Sequence, residues 1–112
     1  MKDPESIRSG GYDYKIRWIP KISDHLDTNG SISDQDKVIV VDSESFPGET
    51  LIHELTHCLE NQMAVDLGES WVRRIENMIV ALVRDNPGLL TWMDEKINGK
   101  ISTRGKRVQK GK

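Results

Sequence analysis

In "LIHELTHCLE", Leu51 to Glu60, two histidines stand four positions apart with a glutamate directly after the first. An α-helix turns about 100° per residue, so His53 and His57 would lie one turn apart on one face, with Glu54 about a quarter turn round. Imidazoles in that relation can converge on a single Zn2+ at about 2.0–2.1 Å. A carboxylate beside them is placed to take a proton from water held by the metal. The competing reading is a helix whose polar face merely shows His, Glu and His to solvent. Against it stand the uncharged neighbours Leu51, Ile52, Leu55, Thr56, Cys58 and Leu59, which make the match longer than a bare HExxH.

The apolar residues of the same stretch, Leu51, Ile52, Leu55, Cys58, Leu59 and Met63, form a stripe centred about 210° from His53. That stripe is expected to anchor the helix to the core, Cys58 included, while the histidines look the other way. Asn61 and Asp66 are candidates for orienting the imidazoles from behind.

A catalytic zinc takes three protein ligands and keeps a position open. The continuation HExxHxxGxxH fails here, because Glu60 stands where the glycine would be and neither Met63 nor Ala64 is a histidine. The third ligand must come from another element. If a second helix starts near Glu69 and runs back antiparallel, a climb of about 9 Å at about 1.5 Å per residue reaches Ile75 or Glu76. The helical neighbours of Glu76 include Val72, Ile79, Val80 and Val83, so its carboxylate would need a cation to offset burial. Glu76 is the expected ligand, with Glu69 and His25 as alternatives. His25, Tyr12 and Tyr14 are chemically able to stabilise an oxyanion.

The elements that must position these groups are legible in outline. "YDYKIRWIP" alternates Tyr12, Tyr14, Ile16 and Trp18 against Asp13, Lys15 and Arg17, the period of a half-buried strand stopped by Pro20. Residues 23–37 read as turn with a short strand through "GSIS". "KVIVVD" is a β-branched run that fits a buried strand, and it could offer an edge to an extended peptide. Pro47 and Glu49 suit a helix entrance, and "DLGES" breaks that helix at Gly68. A second helix then runs to about Asp85, with Trp71 and Met78 at core spacing, and "LLTWMDEKI" predicts a short third one. Leu89, Leu90 and Trp92 are expected to cover one end of the core.

The 112 residues suffice for one domain, expected over 12–100, after a flexible N-terminus at 1–11 and before a basic flexible tail at 101–112. The net charge of −2 hides an asymmetry, since five of the 16 basic residues and none of the 18 acidic ones fall in 104–112. Nucleic acid is therefore a conceivable partner only through that tail. One cysteine excludes an internal disulfide and points to a reducing interior. With no apolar leader and no long apolar run, the chain is expected to be cytoplasmic and without a membrane partner.

The strand "KVIVVD", the entry "PGETLIHELTH" and the helix "ESWVRRIENMIVALVRDNP" together resemble the small zincin-type metallopeptidases of phage and prophage origin, related to the ImmA/IrrE-like and SprT-like zincins. The similarity covers roughly residues 12–92. It implies an α+β, minimal zincin fold: a small, mainly antiparallel sheet packed on the HExxH helix, with a second antiparallel helix. By the resemblance His53, His57 and Glu76 would bind Zn2+, and Glu54 would be the base. The expected activity is hydrolysis of peptide or protein substrates by Glu54-assisted attack of zinc-bound water. The alternative is a zinc-stabilised binding module that does not cleave, holding a protein or nucleic-acid partner. The larger C-terminal subdomain of big gluzincins has no counterpart here.

Overall fold

A hairpin opens the structure. In the computed structural model, which describes residues 2–24 and 28–99, β1 (Ser6–Ser9) pairs antiparallel with β2 (Tyr12–Ile19). The two-residue connection is Gly10-Gly11, and both glycines have positive φ, 60° and 86°. A tight primed turn needs that conformation at both positions, and glycine adopts it without a Cβ clash. The expected flexible N-terminus thus contributes a strand, and Ile7 of β1 lies opposite Tyr14.

β3 (Gly30–Ser33) and β4 (Val38–Asp42) complete a four-stranded sheet in the order β1-β2-β4-β3. The outer pairs are antiparallel and the central β2–β4 pair is parallel, so the sheet is mixed with a mainly antiparallel character. "KVIVVD" is paired on both sides, which corrects the expectation that it offers an edge. The edges belong to β1 and β3.

Alternation sorts the sheet residues cleanly. Ile16 and Ile32 both lie opposite Ile39, and Trp18 and Gly30 both lie opposite Val41, so these residues share one face with Ile7 and Tyr14. On that face lies α1 (Pro47–Met63), whose Cys58 is fully buried against Tyr14, Ile16, Ile39 and Val41, with Leu51 and Leu55 packed beside it. Burying each such aliphatic side chain stabilises the fold by about 1.5–3 kcal/mol. Cys58 is a core residue, as its helical angle predicts. Pro47 takes the first helical position, and Phe46 before it turns the chain in with φ 47°.

α1 ends at Ala64, and α2 (Glu69–Asp85) follows after Gly68, whose φ is 86°. The chain divides into two compact units, Met1–Ile79 and Val80–Lys112, so the expected single domain over 12–100 spans both. The first unit holds the sheet, α1 and the start of α2. The second holds the rest of α2, α3 (Leu89–Asp94) and a π-helical turn at Glu95–Gly99.

Several residues expected in the core are exposed instead: Met63 at 68%, Trp71 at 56% and Met78 at 57%. Leu90 and Trp92 are exposed as well. The inner face of the sheet is already filled by α1, and α2 buries only Val72. Of its other apolar residues, Ile75, Ile79, Val80 and Ala81 are partly buried. Among the described residues no helix is long and apolar enough to cross a membrane. His25 and the basic tail at 101–112 lie outside the described residues.

Candidate metal centre

His53 and His57 sit mid-way along α1 outside the core cluster, and both are partly buried. Their rings meet edge to face, with centroids 4.9 Å apart. Glu69, the first residue of α2, reaches across to both: one carboxylate oxygen lies 2.9 Å from His53 Nε2, the other 3.1 Å from His57 Nε2. Ligand atoms around a tetrahedral zinc with bonds of about 2.0 Å lie about 3.3 Å apart, close to these spacings. His53, His57 and Glu69 form the group that could hold a metal ion.

Glu76, the expected third ligand, is placed elsewhere. Its Oε1 lies 2.8 Å from His53 Nδ1, behind the ring, and its side chain is only 16% exposed. His57 has a matching arrangement, with Glu60 Oε1 2.6 Å from its Nδ1. Each imidazole is therefore held between two carboxylates, one behind it and one it shares. Asn61 and Asp66, the candidates for that supporting role, do not fill it: Asp66 instead accepts a hydrogen bond from the Gly68 amide. Glu60 went unassigned in the sequence although it stands three positions after His57, a spacing that makes helical side chains neighbours.

The donor set has a chemical consequence. A neutral imidazole carries one N–H, yet each of these rings faces carboxylate oxygen at both nitrogens. Among the described residues, the Arg or Lys side chain that meets this group is Arg73, 3.6 Å from Glu69 and largely exposed. A cation between the two Nε2 atoms and Glu69 would satisfy all three, with the supporting carboxylates accepting the Nδ1 protons. On chemistry and spacing, these residues fit a divalent metal.

Glu54 lies beside this group and is 6% exposed. Its carboxylate has no hydrogen bond among the described residues. Burial pushes its pKa up, and the two histidines pull against that shift. It comes close to the sheet because β3 has a glycine there. A Cβ on Gly30 would stand 2.6 Å from Thr50 Cγ2, 2.8 Å from the Val40 carbonyl oxygen and 3.5 Å from Glu54 Oε2. Glycine at that site lets the helix settle onto the edge strand. The Glu60 carboxyl is held below the usual carboxylate range by the Leu67 amide and by His57.

A cleft of about 620 Å³ opens over His53, Glu54, Glu69 and Glu76, walled by Gly30 of β3 and by Phe46. Neither tyrosine considered for an oxyanion lines it. Tyr14 is buried in the core and donates to Asp34 at 2.8 Å, and Tyr12 packs under Lys37 on the far strand. Arg73 is the cationic side chain on the cleft wall. The chain matches none of the protein-family models, curated proteins or solved structures with which it was compared.

Proposed function

We propose that the chain is a zinc-dependent peptidase of minimal zincin type, with His53, His57 and Glu69 as ligands and Glu54 as the general base. The observation that carries this reading is the convergence of both Nε2 atoms on the Glu69 carboxylate beside a buried glutamate with no hydrogen-bond partner among the described residues. A structural zinc site has no use for that fourth acid. In this reading Glu76 orients His53 rather than binding the metal. The lone thiol, buried in the core, fits a reducing, cytoplasmic setting.

Bound Zn2+ would supply Lewis acidity, polarising the scissile carbonyl and making water acidic near neutral pH. Glu54 would accept the proton from the attacking water and deliver it to the amine nitrogen as the C–N bond breaks. The outer edge of β3 borders the cleft and offers an extended peptide backbone a strand to pair with. At Gly30 that edge is already engaged, because Thr28 Oγ1 donates to the Gly30 carbonyl and accepts from its amide. A peptide that pairs there exchanges its own bonds for those of Thr28.

The test is metal content followed by hydrolysis of an unstructured peptide with and without chelator. Glu54→Gln is expected to retain zinc and to lose about 10²–10⁴-fold in rate. Hydrolysis unchanged in Glu54→Gln would remove the proposed base. Stoichiometric zinc with no hydrolysis by the unaltered protein would favour the non-cleaving binding module.

A further inference from the structure

We propose that Glu60 is a positioning residue that presets both His57 and Glu69 for the metal, an inference that rests on the ligand set proposed above. Its two oxygens have separate tasks. Oε1 lies 2.6 Å from His57 Nδ1, and Oε2 accepts the Leu67 amide at 2.7 Å. Leu67 stands two residues before Glu69, whose carboxylate returns to His57 Nε2 at 3.1 Å. The contacts close a ring: His57 to Glu60, Glu60 to the connecting loop, the loop to Glu69, and Glu69 back to His57.

That ring controls two things a metal needs. A carboxylate at Nδ1 accepts a proton there, which leaves the Nε2 lone pair free to ligate. The bond to the Leu67 amide holds the four-residue loop 65–68 against the end of α1, where Val65 and Ala64 also donate back to Glu60 and Asn61 main-chain oxygens. Glu69 therefore starts α2 from a fixed point. Without that bond, its half-exposed side chain would have to be ordered by the metal itself, at the metal's expense.

Glutamine separates the two tasks. Its side chain offers one acceptor and one donor, so Glu60→Gln can keep only one of the two bonds. Either Leu67 loses its acceptor, or the amide donates to His57 Nδ1 and moves the ring proton to Nε2, where it blocks ligation.

The experiment starts with the metal-free protein. Nitrogen-15 NMR reads the His57 tautomer, and hydrogen exchange reads the Leu67 amide. The unaltered chain should show a proton on His57 Nδ1, whether or not Nε2 carries a second one against Glu69, and a protected Leu67. In Glu60→Gln either the tautomer changes or Leu67 exchanges about tenfold faster. Zinc affinity by chelator competition should fall about 10–100-fold. An unaltered chain with no proton on His57 Nδ1 would overturn the inference outright, as would a Glu60→Gln variant in which the Nδ1 proton, exchange and zinc affinity all stay put. A chain that binds no zinc at all would sink the ligand set, while the metal-free measurements still decide what Glu60 does to His57 and to the loop.

Discussion

Glu69→Ala and Glu76→Ala should weaken zinc binding by different amounts and through different steps. Structural zinc sites gain about 10–16 kcal/mol from four protein ligands, or about 2.5–4 kcal/mol for each. At about 1.4 kcal/mol per tenfold, removing Glu69 should raise the zinc dissociation constant about 10²–10³-fold. Glu76 acts through His53 Nδ1 at 2.8 Å, so its loss should cost about 10–100-fold, the usual effect of removing a group that orients a ligand. Because these ranges meet, affinity alone decides less than coordination. X-ray absorption of the zinc-loaded proteins counts light-atom ligands and should show one protein oxygen fewer in Glu69→Ala, with the unaltered set in Glu76→Ala. Should Glu76→Ala lose the oxygen while Glu69→Ala keeps it, the assignment reverses and Glu76 becomes the ligand.

Three other outcomes follow from particular contacts. Gly30→Ala should lower stability by about 1–3 kcal/mol in urea denaturation and slow hydrolysis, because the added methyl meets the Val40 carbonyl of β4 and Thr50 of α1 and is relieved only by shifting β3 against both. Exposed Trp71 and Met78 should tolerate alanine at a cost under about 1 kcal/mol, whereas Val72→Ala should cost about 2 kcal/mol; equal costs would mean that α2 packs otherwise. Burial pushes the Tyr14 phenol up to about 12 from its ordinary 10.0. The fold thus favours the neutral form, and its contribution is whole below about pH 10 and lost as the pH rises through 12. Between those limits the unaltered protein should lose more stability than Tyr14→Phe does, and parallel losses would show that the phenol stays neutral in neither state preferentially.

The motif, the helix that carries it and the direction its histidines face were legible because helical periodicity is a local property, read from residues 51–63 alone. β2 and β4 were legible for the same reason, one from alternation and the other from β-branched residues. β1 was not: "SIRS" is too short and polar to signal a strand, and Gly10-Gly11 becomes readable as a hairpin turn only once the strand before it is seen. The choice between Glu69 and Glu76 depended on matching heights along two helices by their axes. The carboxylate of the first residue of α2 lies over both imidazoles, while Glu76 meets His53 from behind, at Nδ1. The exposed face of α2 was illegible because its spacing is that of a core helix, and burial depends on tertiary packing that spacing does not carry.

The two ends of the sheet are not equivalent. β1 closes one end with four residues and a charged pair in which Arg8 meets Asp13 at 3.1 Å, features that discourage a foreign strand from adding there. β3 closes the other with "GSIS", which carries no charge, and its first residue, Gly30, lines the cleft. The edge best suited to receive a peptide is therefore also the edge through which two copies of this chain would join and begin to aggregate. A tight-binding peptide in the cleft should then keep concentrated protein in solution, so that inhibition and solubility rise together.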